Sequence, residues 1–468
     1  MAKDSMITLT IENILSLHPL QKIPMAVLSR IMGRLTFDNP RFLENEKRGF
    51  STWGIPKHIK GYEMDEDSMT IPRGFTRQLI AILKDAGLQF TLYDRRRTLP
   101  DIEHLFNGKL KDFQDEAVRA VLSRDFGTLA APTGSGKTVM ALAAIAHRKQ
   151  PALVLVHNKE LLNQWVERSE TFLGIPKKEI GVIGSGKKAI GQGLTVGIVN
   201  SVYLIASEIK EHFGFLIVDE CHRCPSRMFT EAVSAFDSKY MLGLSATPWR
   251  GDRLTRLIYW HLGDKVYEVE QTALVDSGDV LRAEVITRKT GFISSWDASE
   301  HYSRMLSELT EDPERNEQIV EDVIKEANNG GGVCLVLSDR KAHCDELAGM
   351  LTNRGAPADV LTGDLSNRER QSIVERLNAG QIKILVATGQ LIGEGFDCRD
   401  LSTLFLACPI KFSGRLIQYL GRVLRPAPGK KEARVYDYVD SKIGVLRHAA
   451  EARQRVYTRG DSTPGRPI

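Results

Sequence analysis

The sequence predicts an α/β fold: two tandem parallel-sheet domains preceded by a small N-terminal α/β accessory domain. Three observations carry this. Short apolar, β-rich runs alternate with amphipathic segments in mid-chain: ALVLV (152–156), KELLNQWVERSETFL (159–173), FLIV (215–218) and YMLGL (240–244). Strands alternating with helices argue a parallel sheet with helical crossovers. The alternation resumes after about residue 330 with GVCLVL, DRKAHCDELAGMLTNRG, KILVA, TLFLA and ARVYDY. The length, 468 residues, suits roughly three domains at about 150 residues each.

Residues 1–105 hold short mixed patterns, turn signals (DNPR, IPRG) and a basic triplet, Arg95-Arg96-Arg97. A small separate domain is expected there. The first parallel-sheet domain is expected over 106–290 and the second over 310–450, with NNGGG at 328–332 as punctuation before the second block of strands. Residues 451–468, ending RGDSTPGRPI, are expected to be a disordered tail.

Composition narrows the class. Hydrophobic residues make up 42% and charged residues 26%, as in ordinary globular chains. No run of ~18 apolar residues is present, so no membrane span is expected. MAKDSMITLT lacks a signal-peptide h-region, and six Cys in this length is ordinary usage. A cytoplasmic protein of a bacterial or phage-infected cell is expected. A net charge of +4 argues against a generic polyanion binder. From Lys411 onward, however, thirteen Lys/Arg face five Asp/Glu, enough for a local phosphate-attracting surface.

The strongest chemical signal is GTLAAPTGSGKTVMALAAIA: an apolar strand, a loop, then a helix. Within Pro132-Thr133-Gly134-Ser135-Gly136, the glycines let backbone N–H groups turn inward around phosphate oxygens, aided by the helix N-terminus. Lys137 is placed to reach the β- and γ-phosphates and Thr138 to ligate Mg²⁺. Ala131 stands where the strict pattern has Gly. Kinases, switches and motors share such a loop, so it names no reaction.

LIVDECHRC (216–224) can be read three ways. Cys221, His222 and Cys224 could be half a zinc site or a redox pair. Asp219 and Glu220 could be the magnesium ligand and water-orienting base of an ATPase, since they follow a buried strand at the edge where α/β sheets bind ligands. Zinc needs a fourth ligand, no second Cys-x-x-Cys exists, and Cys334, Cys344, Cys398 and Cys408 are scattered. The ATPase reading is preferred.

APTGSGKT, VDECH, LSATP and QYLGRVLR, in that order, resemble the motifs of superfamily 2 helicases and translocases, over about residues 106–440. The resemblance implies two RecA-like domains, ATP and Mg²⁺ as cofactors, and nucleic acid as partner. It implies that Gln114, in KDFQ, recognises adenine. Gln164 and Trp165, in VHNKELLNQW, are implied to track one nucleic-acid strand, with Asn200 as a further contact. Ser245 and Thr247 couple hydrolysis to strand movement, and His222 links them to the ATP site. Gly395 and Asp397, in VATGQLIGEGFD, fall in the fifth motif and face the nucleotide. QYLGRVLR places Gln418, Arg422 and Arg425 where the family carries its arginine fingers.

Within the superfamily, TPWRGD and ECHRC resemble XPB-type repair translocases and phage recombination helicases. LTFDNPRF and IPRGF resemble the accessory domain of the phage branch-migration type, so residues 1–105 are expected to bind DNA. The implied activity is ATP-dependent unwinding or branch migration of forked or junction DNA in replication, recombination or repair. Two alternatives stay open: an RNA-dependent ATPase, and a nucleotide-gated DNA-binding subunit for a partner nuclease.

Overall fold

A computed structural model describes residues 6–458 apart from 48, 224–226, 247–253, 271–272, 275–277, 279, 330–331, 390–397, 399, 411–415, 417–418, 422, 428–429 and 431–432. Cys224, Thr247, Gly395, Asp397, Gln418 and Arg422 lie outside the described residues, as does the end of the expected tail. The chain forms two compact units: Met1–Ala131 with Gly136–Val269, and Pro132–Ser135 with Glu270–Ile468.

In the first unit an eight-stranded sheet runs in the order Lys187–Ala189, Gly181–Gly184, Leu194–Ile198, Ala152–Val156, Phe215–Val218, Tyr240–Ser245, Phe126–Ala130, Lys265–Glu268. All pairings are parallel except the hairpin at 181–189. The central strands are apolar on both faces because helices cover both, which is why ALVLV and FLIV read as continuous apolar runs. The expected helix KELLNQWVERSETFL spans Lys159–Leu173, capped by Asn158, whose side chain accepts from the Leu161 N–H.

The N-terminal segment forms a five-stranded sheet in the order Glu63–Met64, Met69–Pro72, Ile14–His18, Ile7–Ile11, Phe90–Asp94. Its strands alternate: Ile7, Leu9 and Ile11 point into a core, while Thr8 and Thr10 are only half-buried. The helices Met25–Arg34 and Thr76–Asp85 close that core with Leu28, Ile31, Leu79, Ile82 and Leu83.

This segment is not the separate domain the sequence suggested. Trp260, from the helix Thr255–Leu262 that joins two strands of the eight-stranded sheet, Tyr240–Ser245 and Lys265–Glu268, sits inside the segment's core, 3% exposed and 5.4 Å from the Phe37 ring. IPRGF provides the seat. A Cβ at Gly74 would lie 2.5 Å from the Gly263 N and the Tyr259 O, so only glycine allows this approach. Arg73 is buried and donates to the Ser238 O at 2.8 Å.

The basic triplet is likewise largely committed to protein. Arg96 pairs with Asp94 and Asp125 at 2.7 Å each, and Arg97 pairs with Asp237 at 3.0 Å. Their backbone joins in too: the Arg97 N–H donates to the Asp237 O, and the Lys239 N–H to the Arg97 O. Only Arg95 is largely exposed, beside Glu12. Asp94 adjoins the triplet in sequence, but Asp125 and Asp237 lie far along the chain, so local sequence does not show how far these arginines are neutralised.

The second unit is a six-stranded, all-parallel sheet ordered Ala283–Lys289, Ala433–Val439, Leu401–Leu406, Val333–Ser338, Ile384–Thr388, Asp359–Leu361. Two expectations change here. The strand Ala283–Lys289, expected within the first domain, is the edge of the second sheet. The helix Gly444–Thr458 extends into the expected tail, held by Arg453 and Tyr457, whose side chains both bond Asp437. Residues 453 and 457 are one helical turn apart and grip the same carboxylate, which composition could not reveal.

Buried charge organises this unit. Arg315, 2% exposed, donates to Asp440 at 2.9 Å and to the Ala407 O at 2.7 Å. Tyr436 donates to Glu326 and Tyr438 to Asp322. The basic C-terminal excess is therefore partly internal: Arg434 pairs with Glu284 and Glu326, and Lys442 bonds the Gly291 O.

Candidate functional site

Sheet order builds the site. Three adjacent strands, Phe215–Val218, Tyr240–Ser245 and Phe126–Ala130, end at one edge. Beyond them come Asp219-Glu220, Ser245 itself, and the glycine loop leading into the helix Lys137–Arg148. Ser245 is in register with Ala130, and the Ala131 N–H donates to the Ser245 O. The carboxyl edge of a parallel sheet is where such folds hold ligands.

Gly134 and Gly136 both adopt left-handed backbone, with φ of 92° and 81°. At Gly136 a Cβ would sit 2.6 Å from the Gln114 Nε2, so the glycine also lets Gln114 approach. Gln114 is buried, and its Oε1 accepts the Lys111 N–H at the start of its helix. Lys137 donates from Nζ to the Ala131 O at 3.1 Å. Lys137 and Thr138 are half-buried in the helix's first turn, Ser135 is buried, and Pro132 and Thr133 are half-buried.

Asp219 is 5% exposed, and burial, then the neighbouring Glu220 carboxylate, push its carboxyl up to about 6. Two adjacent acids at a sheet edge, one buried, make a donor set suited to a hard cation. Glu220 has φ of 49°, uncommon for a residue with a side chain. The strand thus ends in a sharp reversal at the residue expected to handle water. The His222 Nδ1 lies 3.1 Å from the Glu220 Oε2 and 3.2 Å from the Ser245 Oγ. Cys221 is wholly buried in the core, where burial first and the adjacent carboxylates next push its thiol well up, away from the thiolate a zinc site needs.

Trp165 requires a correction. It was expected to meet a nucleic-acid strand, but it is 1% exposed and its indole N–H donates to the Asp219 Oδ2 at 2.8 Å. That hydrogen bond holds one oxygen of the aspartate. The signal was available: Leu162, Trp165, Ser169 and Leu173 are the buried residues of this helix and follow a helical spacing. Gln164, next in the chain, is exposed, as is Asn200 on the helix Val199–Tyr203. Their two helices follow adjacent strands, Ala152–Val156 and Leu194–Ile198, so both rise from neighbouring points on one edge. In the second unit Arg425 is half-buried, and its carbonyl accepts from the Lys430 Nζ at 2.8 Å.

Comparison with known proteins places this geometry. A family model for the type III restriction enzyme res subunit matches residues 107–250, and one for the helicase conserved C-terminal domain matches 315–427. The chain is 27% identical over 376 residues to the probable helicase D10 of Escherichia phage T5, covering 80% of this chain and 81% of that one. It is 38% identical over 167 residues to the DNA 3'-5' translocase XPB2 of Sulfurisphaera tokodaii, covering 35% and 37%. In fold, it resembles S. cerevisiae Dbp5 bound to RNA and ADP BeF3, with a TM-score of 0.54 at 16% identity, over 75% of this chain and 88% of that one. The fold is thus the tandem RecA-like arrangement. Family models, relatives and motif order agree: a res-subunit domain is followed by a helicase conserved C-terminal domain, and XPB-type translocases and phage helicases are relatives, as the resemblance to superfamily 2 helicases and translocases implies.

Proposed function

We propose that the protein is an ATP-dependent DNA helicase or translocase acting on forked or junction DNA in replication, recombination or repair. The observation that carries this is His222, whose ring nitrogen contacts both Glu220 and Ser245. A carboxylate that handles water at the γ-phosphate is thereby tied to a segment outside the nucleotide loop. The one ring nitrogen, hydrogen-bonded to Ser245 and within ion-pair distance of Glu220, couples the electrostatics of the two positions, which a motor needs and a passive clamp does not.

In this reading the backbone of 132–136 and the Lys137 ammonium bind the phosphates, and Gln114 reads adenine. Thr138 and Asp219 would hold Mg²⁺, and the buried, upshifted Asp219 carboxyl fits a group built to meet a cation. When bound, the ion neutralises charge on the phosphate oxygens. Glu220 orients the attacking water and accepts its proton. Gln164 and Asn200 contact the strand, and Arg425 stabilises charge on the transferred phosphoryl. The choice of DNA over RNA is supported by the relative named as a DNA translocase.

The test is the ATPase rate with no nucleic acid and with single-stranded, blunt duplex, forked and four-way DNA, and with structured RNA. Forked or four-way DNA should stimulate most. Glu220→Gln should keep ATP binding and lose hydrolysis by about 10²-fold or more. Near-normal turnover in that variant would remove the catalytic assignment, and stronger stimulation by RNA than by any DNA would select the RNA-dependent reading.

A further inference from the structure

Trp53 is 93% exposed and Phe50 61% exposed, both on the loop joining the helix Pro40–Lys47 to the strand His58–Lys60. Single exposed apolar residues are normal on protein surfaces. Two large aromatics three positions apart on a fixed turn are a different matter. The loop is tied at both ends. The Asn39 Nδ2 donates to the Pro56 O at 2.9 Å, and the Asn39 N–H to the Lys57 O at 2.8 Å. The Asn45 Nδ2 donates to the Ser51 O at 2.9 Å, and the Phe50 N–H to the Asn45 O at 2.8 Å. The Trp53 N–H reaches the Ser51 Oγ. Gly49 and Gly54, with φ of 68° and 73°, take the left-handed turns on either side of the aromatics. The base of the loop is anchored too, because the strand Thr36–Asp38 pairs with His58–Lys60 and carries Phe37 onto Trp260.

Charge selects the occupant. Residues 40–60 contain Arg41, Lys47, Arg48, Lys57 and Lys60 against Glu44 and Glu46. Arg41, Lys47 and Lys57 are exposed. Protein–protein contact surfaces favour aromatics but are depleted in lysine. Aromatic faces among lysines and arginines instead suit unpaired nucleobases, which stack on the rings while the cations meet the phosphates. We propose that the 49–57 loop is a base-stacking site for unpaired DNA, with Trp53 and Phe50 as the stacking faces and Arg41, Lys47 and Lys57 as phosphate contacts. This inference rests on the proposed DNA-motor function and adds a contact outside the motor motifs. The loop would hold bases freed at a fork or junction, a task the committed Arg96 and Arg97 cannot perform.

The test uses the full chain, with fluorescently labelled single-stranded DNA, blunt duplex DNA and single-stranded RNA of matched length, read by anisotropy. Trp53→Ala should weaken single-stranded DNA binding by about tenfold, and Trp53→Ala with Phe50→Ala further, on the magnitude of base–aromatic stacking. Trp53→Phe should recover most of the affinity. Blunt duplex binding should change by less than about twofold, because paired bases offer no free face. ATPase without nucleic acid and the melting temperature should be unchanged, since neither ring packs. Unchanged single-strand affinity in the double variant overturns the proposal, as does an equal loss on blunt duplex, which would mark a backbone contact. A larger loss on RNA than on DNA overturns the assignment to DNA. A lower solution mass with unchanged DNA affinity overturns it in favour of contact between copies of the chain. If the unaltered protein binds no DNA at all, the underlying motor reading fails as well, whereas binding by both forms alike defeats only this loop.

Discussion

Trp165 and Gln164 are neighbours in the chain with opposite surroundings, one buried against Asp219 and one in solvent. A hydrogen bond to a charged group contributes about 1.5–3 kcal/mol. Here it fixes one carboxylate oxygen, leaving Asp219 a set orientation toward a cation. Trp165→Phe keeps the ring in its pocket and deletes the donor. The expected result is a Mg²⁺ requirement for ATP hydrolysis raised by about tenfold, with most of the rate recovered at saturating Mg²⁺. A Mg²⁺ titration of ATPase checks this, and an unchanged midpoint would show that the indole only packs. At this scale the sequence was informative about chemistry and less so about direction. The loop ahead of Lys137 and the strand ends at Asp219 and Ser245 were readable from local glycines and apolar runs, whereas the strand order that brings them to one edge was not. Trp165 was misplaced because motif resemblance assigned it to a strand, while the burial rhythm of its own helix placed it inside.

At the scale of elements, ARVYDY was legible as a strand, but what it grips was not. Tyr436, Tyr438 and the following Asp440 bind groups far away in sequence, Asp437 binds the helix that follows, and no periodicity records such pairs. Beside this network, His343 is 1% exposed, with Nδ1 3.0 Å from the Ser338 Oγ and Nε2 2.9 Å from the Asn316 Oδ1. Burial first, then the Arg315 guanidinium, lower its pKa to about 3. The unfolded chain binds this proton near pH 6.5 and the folded one does not. Stability from the neutral ring is therefore fully present above about pH 6.5 and is lost as pH falls toward 3, at up to about 1.4 kcal/mol per pH unit. His343→Gln removes the titration. Its melting temperature should be lower at pH 7.5, yet fall less between pH 7.5 and 5 than that of the unaltered protein. Parallel slopes in the two melting series would show that the acid sensitivity lies elsewhere.

For the whole molecule, the question is whether residues 1–103 can be removed. Their turn-rich sequence looked like a detachable accessory domain, and truncation would then leave a working motor. The contacts point the other way. Trp260 lies in the N-terminal core, Arg73 is buried against Ser238, Arg96 meets Asp125, and Arg97 meets Asp237. A buried Trp covers about 200 Å². At roughly 25 cal/mol per Å², exposing Trp260 alone costs about 5 kcal/mol. That rivals the about 5–15 kcal/mol that holds a typical domain folded. Asp125 and Asp237 would lose their guanidinium partners as well. A chain beginning at residue 104 should therefore be poorly soluble and lack a cooperative melting transition. Trp260→Ala in the full chain should lower the melting temperature sharply without touching the nucleotide loop. Soluble yield and calorimetry decide the matter. A truncated chain that melts cooperatively and hydrolyses ATP at the full rate would show that the N-terminal segment is detachable after all. Failure to fold would mean that the N-terminal segment and the eight-stranded sheet form one cooperative unit, as Trp260 inside the N-terminal core implies.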